Sequence, residues 1–522
     1  MSLIKNHFNE TKRLIKEIDK NKVAAWFLEK GFFPEDYVLP PSFIVKKFEL
    51  KQKPYIEDFK KKDTYKKNKK KKIPIRKLIT ISYPKSLLSS RVFGIQHPHN
   101  YHDIVYYLIN NWDTILEHLF PDNLKIFSYS FPIPVNAKSK KNLSNNRTGR
   151  MIYEWIEMAE KDLVVEAHKY NFIIRTDITN FYNSIYTHSI SWALHGRDVA
   201  LKDSSLDLLG NKIDKLIQYA NDRKTNGIPV GSALSDIISE IILTKVDKDV
   251  SLKLSEIDFI GTRFKDDYRI LCNNEDDAKK ILKILSDTLI EYNLTINEHK
   301  TKILPLPDGL YRQHIREYYY HSFKEKKEIS FKDFEMSLLK TLEIHRSFPG
   351  TSIIEKFLSE LFTKEKKLEI KLSKYNKTRK KQILKIMSLL ILLKRESEKS
   401  LCYVLAILDY IYNKYILELN LKNEFKDLIK TEIKKANDKK SVFELVWLVF
   451  FWKYLRLGNI NLDFVDEELK QNEFLKSVIK SKQNFFKEYN IELFIKPKDC
   501  EKHSLFERLF IFENNLDKKN NF

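Results

Sequence analysis

A chain of 522 residues, 43% of them hydrophobic, can bury a large core and is long enough for two or three domains. Its formal net charge of +22 favours a polyanionic partner, nucleic acid before an anionic membrane surface. The three cysteines, Cys272, Cys402 and Cys500, stand far apart without zinc-ligand spacing, which excludes a disulfide framework and a cysteine-based metal site.

The N-terminus, MSLIKNHFNETKR, has no apolar signal core, so a cytoplasmic protein is expected. Residues 1–170 are mixed, with most of the prolines and short patterns such as RKLITISYPK and YHDIVYYLINNW. Nine lysines crowd between Lys60 and Lys72. A run that charged cannot pack and reads as a solvated loop able to touch phosphates. HPHNYH supplies His97, His99 and His102, but it brings no fourth ligand type and Pro98 breaks helical spacing, so it is not read as a zinc site.

Residues 171–310 alternate strand-like and helix-like patterns, an α/β signature. In NFIIRTDITNFYNSIYTHSI, residues 172–176 read as a strand and Asp177 follows at its carboxyl end. Functional residues of α/β folds often stand there, although an aspartate in that place is also a common helix cap. Farther on, IDFIGTRF and YRILC read as two strands joined by a hairpin turn at Lys265, Asp266 and Asp267. Glu275, Asp276 and Asp277 in NNEDDAKKILKIL open an amphipathic helix, where negative charge suits the helix dipole.

Residues 311–522 turn helical, with no proline between Pro349 and Pro497. KKQILKIMSLLILLK and KSLCYVLAILDYIYNKYILEL place apolar residues at helical spacing. Such helices stack in pairs, so an all-α, helical-repeat region without a strict period is expected. The most apolar window, VFELVWLVFFWKYLRL, is short and carries Glu444, Lys453 and Arg456; it reads as a buried helix, and no membrane span is expected.

The paired aspartates need a reason, because like charges repel. A strand-end aspartate and a hairpin bearing two more can bring three carboxylates to one point. Mg²⁺ favours a few carboxylate oxygens plus substrate phosphates. Two such ions, about 3.5–4 Å apart, activate a 3′-hydroxyl and stabilise a leaving pyrophosphate, which makes nucleotidyl transfer the reaction that fits.

DITNFY, beginning at Asp177, resembles motif A of reverse transcriptases; GIPVGSALSDIISE resembles motif B, FKDD motif C (usually YxDD) and LTINEHKTKI motif D. The four stand in the right order within roughly residues 75–305. More narrowly, DITNFYNSIYTHSISWALHG and NGIPVGSALSDIISEII are similar to the abortive-infection reverse transcriptases of bacteria, the AbiK kind. That resemblance implies an α/β (α+β) fold: an N-terminal extension and fingers in residues 1–170, a palm in 171–310, and the all-α helical-repeat domain in 311–522. It implies a DNA polymerase of antiphage defence that adds dNTPs with two Mg²⁺ or Mn²⁺ ions, without a template, from a tyrosine of the protein itself. The single-stranded DNA product would be covalently attached, and a homo-oligomer is implied.

Residue by residue, Asp177, Asp266, Asp267 and the Ile178 carbonyl match the metal contacts. Tyr182 matches the aromatic that crowds the sugar 2′ position, which favours deoxynucleotides. Gly231 matches the glycine that lets backbone approach the nucleotide, and Phe264 takes the motif C tyrosine position. Lys300 matches the motif D lysine, a general acid for pyrophosphate. Lys85 and Arg91 in YPKSLLSSR are candidates for triphosphate contacts. Three departures stand out: Pro229-Val230-Gly231 replaces the usual PQG, Lys265 occupies the variable motif C position, and no recognisable thumb follows motif D. A templated enzyme of retron or group II intron type and a non-catalytic nucleic-acid binder with a relic palm are the alternatives. The priming residue is left open among 26 tyrosines, with Tyr37 in GFFPEDYVLPPSF as one candidate.

Overall fold

The computed structural model describes residues 2–56, 75–86, 89–135, 147–323, 328–361, 370–482, 486, 491–502 and 504–505. The lysine run lies outside the described residues. Alternating side chains in RKLITISYPK give β1 (Ile79–Ser86), which pairs antiparallel with β2 (Ser89–Ile95). Ile81 and Tyr83 are buried between exposed Thr80 and Ser82, the two-residue period of a half-buried strand.

The central sheet holds β3 (Ile126–Ser128), β4 (Phe172–Asp177), β5 (Phe259–Phe264), β6 (Asp267–Cys272) and β7 (Lys302–Pro305), in the order β3-β5-β6-β4-β7. Neighbours run antiparallel except β3, which lies parallel to β5. The central strands β5 and β6 are buried along nearly their whole length, which is why their sequences are short apolar runs. Helices Ala233–Lys253 and Glu275–Glu291 pack on this sheet and on one another. Asn274 caps the second, its side chain accepting the Asp277 N–H at 2.8 Å, and the acidic cluster fills its first turn as expected.

Pro98 begins a helix, Pro98–Asn110, and does not break one. Proline suits the first helical position because that N–H has no partner to lose. The three histidines are used structurally. The His99 N–H donates to His97 Nδ1 (3.2 Å), the His99 ring stacks 3.7 Å from that of Tyr55, and buried His102 bridges Asp103 (2.8 Å) and the Lys51 N–H (2.9 Å).

Beyond the sheet the described chain is mainly helical, with a two-residue parallel pairing of β8 (Ile329–Ser330) with β9 (Ile370–Lys371) and an antiparallel bridge from Glu492 back to Lys47. Helices Phe331–Ser347 and Ile353–Ser359, Asn376–Glu396 and Leu401–Ile411, and Lys422–Asp438 and Val442–Tyr454 pack as consecutive pairs. Val442–Tyr454 is buried on all sides, and its Glu444 is matched by the buried Lys394 ammonium, which also meets Glu432 at 3.2 Å. Among the described residues no helix is long and apolar enough to cross a membrane. Among the described residues the three cysteines form no disulfide.

This helical region grips the N-terminal part. The Trp447 indole N–H donates to the Val38 carbonyl at 3.2 Å, the Ile495 N–H to Ser42 at 2.8 Å and the Lys46 N–H to Glu492 at 2.8 Å. β1 packs against helix Val442–Tyr454 and the turn Glu398–Ser400, with the Tyr83 ring 5.1 Å from Phe443.

Candidate active site

Asp177 ends β4 directly opposite Asp267, the first residue of β6. Opposite residues of an antiparallel ladder project from the same face, so these two carboxylates are neighbours by register. Phe264 also pairs with Asp267, which closes β5–β6 with a two-residue turn, Lys265-Asp266. The sequence reading placed Asp267 in the turn; the favoured two-residue closure makes it a strand residue instead. Lys265 takes a φ of +53°, where glycine would be usual. The Asp266 carbonyl accepts the Ile178 N–H at 3.1 Å, so the turn is laced to the residue after Asp177.

Burial pushes the Asp266 carboxyl above the usual carboxylate range, and the charges of Asp177 and Asp267 push it further; a backbone hydrogen bond and the Arg91 cation work against them. Burial likewise raises Asp267, with Arg269, Arg175 and Lys300 opposing and Asp177 adding to it. The three carboxylates therefore share one electrostatic environment. Lys300 places its ammonium on Asp177 Oδ2, while Asp177 Oδ1 is buried with no hydrogen-bond partner among the described residues. A buried, unsatisfied carboxylate oxygen is costly, and a cation would satisfy it. Among the described residues no group of three or more His, Cys, Asp or Glu side chains is placed to hold a metal ion. Mg²⁺ commonly takes only one or two carboxylates and completes its shell with phosphates and water, so the donor set fits an ion that arrives with nucleotide.

The segment after β4 is zipped to the motif D segment. The Thr179 N–H donates to Thr295 (2.8 Å), the Asn297 N–H donates to Asp177 (2.7 Å), and buried Ile178 pairs with Ile296. The turn Glu298–Lys300 follows at once, which is how Lys300 reaches Asp177.

Gly231 has a φ of +122°, and a Cβ there would come within 2.7 Å of the Phe93 ring and 3.0 Å of Pro34. The crowding at this glycine comes from the protein's own β2 and N-terminal segment. Two hydrogen bonds hold these parts together: Gly94 N–H to the Val230 carbonyl (3.0 Å) and Ala233 N–H to the Gly31 carbonyl (2.8 Å). The Val230 side chain is buried.

Helix Ala233–Lys253 sends three acidic residues towards the site. Asp236, buried, accepts the Tyr182 hydroxyl at 2.5 Å, and the Lys265 ammonium lies 3.3 Å from both its oxygens. Burial and then Asp236 hold Tyr182 well above the usual phenol range, so its proton stays on to be donated. Neighbouring Phe181 is core.

Glu240 and Asp247 hold fully buried Arg263, at 2.9 and 3.1 Å to Glu240 and 2.8 Å to Asp247. Arg263 also donates to the Lys265 carbonyl (3.1 Å), while the Lys265 N–H donates to Ser130 Oγ (2.8 Å), which in turn donates to Glu240 (2.6 Å). The turn bearing Asp266 is thus tied at both its amide and its carbonyl. Asp236, Glu240, Asp247 and Arg263 are not among the site residues expected from the sequence. A signal was available for two of them: Asp236 and Glu240 interrupt the apolar first half of helix Ala233–Lys253 one turn apart.

Of the remaining sites, Phe264 is half-buried, and Lys85 and Arg91 are exposed on the β1–β2 hairpin. Arg91 acts electrostatically on Asp266, and both cations act on half-buried Lys399 of the helical region. Tyr37 is half-buried with its ring 5.4 Å from Tyr83.

Residues 108–331 match the family model described as reverse transcriptase (RNA-dependent DNA polymerase). The chain carries a reverse transcriptase domain. The matched span takes in all five strands of the central sheet with Asp177, Asp266, Asp267 and Lys300. The β1–β2 hairpin precedes the matched part of the reverse transcriptase domain.

Among solved structures, apo telomerase from Candida tropicalis is similar at 14% identity and a TM-score of 0.31, over 78% of this chain and 70% of that one. The same protein truncated from its C-terminal domain gives 14%, 0.29, 45% and 52%. Candida albicans telomerase with a TWJ fragment of telomeric RNA gives 13%, 0.27, 78% and 62%. The chain thus spans about half the length of the truncated telomerase. No curated protein matches the chain.

Proposed function

We propose that this reverse-transcriptase-type polymerase makes DNA without a template, primed by one of its own tyrosines, in antiphage defence by abortive infection. The observation that carries the polymerase chemistry is the in-register pairing of Asp177 with Asp267, with Asp266 in the adjoining turn. The defence role rests on the motif A and B resemblance and on the helical region that follows the palm.

In this reading Asp177, Asp266, Asp267 and the Ile178 carbonyl hold two Mg²⁺ or Mn²⁺ ions. When bound, such ions lower the pKa of the attacking hydroxyl and take up charge on the leaving pyrophosphate. Lys300 leaves Asp177 and gives a proton to the pyrophosphate. Lys85 and Arg91, and Lys399 from the helical region, attract the triphosphate. Gly231 and Phe264 line the nucleotide, and Tyr182 closes the space a 2′-hydroxyl would need. Val230, buried where a motif B glutamine usually stands, supplies no polar contact to a template, which suits untemplated synthesis. The three-part division at residues 170 and 310, the attached single-stranded product, the oligomer and the cytoplasmic setting belong to the same proposal.

The test is to incubate purified protein with Mg²⁺ and single labelled dNTPs, then run denaturing gels with and without protease. A retarded, protease-sensitive smear is expected. Product that copies an added RNA would move the chain to a templated enzyme; nucleic-acid binding without turnover would make it a binding protein.

A further inference from the structure

Asp236 lies outside the set of acids that would hold metal, yet it is buried and joins two parts of the site. Its Oδ1 accepts the Tyr182 hydroxyl at 2.5 Å, and both its oxygens lie 3.3 Å from the Lys265 ammonium. Tyr182 stands five residues after Asp177, and Lys265 stands immediately before Asp266. One carboxylate on helix Ala233–Lys253 therefore fixes the ring after one acidic residue and the turn that carries another.

We infer that Asp236 is a positioning residue for sugar selection: by holding the Tyr182 hydroxyl and Lys265 together, it sets the distance between the aromatic wall and the carboxylates, and so lets the enzyme reject ribonucleotides. This rests on the polymerase reading above. A phenol ring chooses among a few staggered rotamers and its ring torsion is broad, so a hydrogen bond at its tip narrows what packing alone leaves open. A wall that excludes one oxygen atom needs that restraint, because a small tilt of the ring would admit a 2′-hydroxyl. The same contact explains a tyrosine where phenylalanine would supply equal bulk. It also gives the motif C lysine a role: its charge compensates a buried carboxylate that would otherwise be costly.

The test compares incorporation of each dNTP with its matched rNTP by the full-length protein, as the ratio of kcat/KM values. Equilibrium binding of dATP and ATP is measured alongside. The variants are Tyr182→Phe, Asp236→Ala, Asp236→Asn and Tyr182→Phe with Asp236→Ala. Tyr182→Phe and Asp236→Ala should each lower the dNTP:rNTP ratio by about tenfold, the scale of one hydrogen bond. The double variant should fall little further, since both changes cut the same tie. Asp236→Asn, whose amide oxygen still accepts the hydroxyl, should recover most of the ratio. General damage to the fold would lower both substrates together and leave the ratio where it was. A parental ratio retained by Tyr182→Phe and Asp236→Ala, with dNTP incorporation still measurable, would overturn the inference and leave the polymerase reading intact. A parent protein that neither incorporates nor binds dNTPs would overturn both.

Discussion

Lys300 and Asp177 form an ion pair across the site, with the lysine mostly exposed and the aspartate mostly covered. The ammonium stands where a divalent cation would compete for the same oxygen. Lys300→Ala should therefore act in two directions. The Mg²⁺ concentration for half-maximal incorporation should fall, because a competing charge is gone. The saturating rate should fall as well, by about 100-fold or more if the lysine protonates pyrophosphate. Mg²⁺ titrations of parent and variant separate the two effects.

Asp266→Asn with Asp267→Asn should abolish incorporation yet leave the fold at least as stable. Both carboxyls are held above the usual range by burial first, then by neighbouring charge. A carboxyl raised in the folded state binds more protons there than in the unfolded chain. The stability it contributes is present below the unfolded value, about pH 4, and is lost as pH rises through the folded value. In metal-free buffer at neutral pH the double variant should melt at or above the parent, with the gap closing towards pH 4. Added Mg²⁺ should raise the melting temperature of the parent and not that of the variant.

Arg263→Met should destabilise the protein by about 3–5 kcal/mol, because it strands Glu240 and Asp247 as buried, uncompensated charges. Ser130→Ala removes only the hydroxyl between Glu240 and the Lys265 amide, and should cost about 1–2 kcal/mol. Denaturant melts measure both. Ser130→Ala should also slow incorporation more than its stability loss explains, since it loosens the turn that carries Asp266.

Gly231→Ala meets two obstacles: a φ of +122° and a Phe93 ring 2.7 Å from the new methyl. A loss of about 1–3 kcal/mol is expected. Adding Phe93→Leu should recover part of it, by relieving the clash and not the backbone. Full recovery would show that the backbone angle costs nothing.

Patterns that depend on neighbouring residues were readable in the chain. Asp177 at a strand end, the hairpin at Lys265, the acidic start of helix Glu275–Glu291 and the buried helix around Trp447 all follow from local periodicity and charge. Relations set by packing were not. Pro98 could start or stop a helix, and only the folded chain decides which. The need for glycine at 231 comes from Phe93 and Pro34, well over a hundred residues away. Asp236 and Arg263 look like unremarkable charges until burial forces each to find partners.

The grip of the helical region on residues 38–46 sets an order of events during synthesis. Val38, Ser42 and Lys46 leave the ribosome early, but their partners Trp447, Ile495 and Glu492 are made more than four hundred residues later. The last partners of this segment are therefore made only when translation is nearly finished. A chain interrupted in the helical region would carry every acidic residue of the site and still lack the contacts that hold residues 38–46.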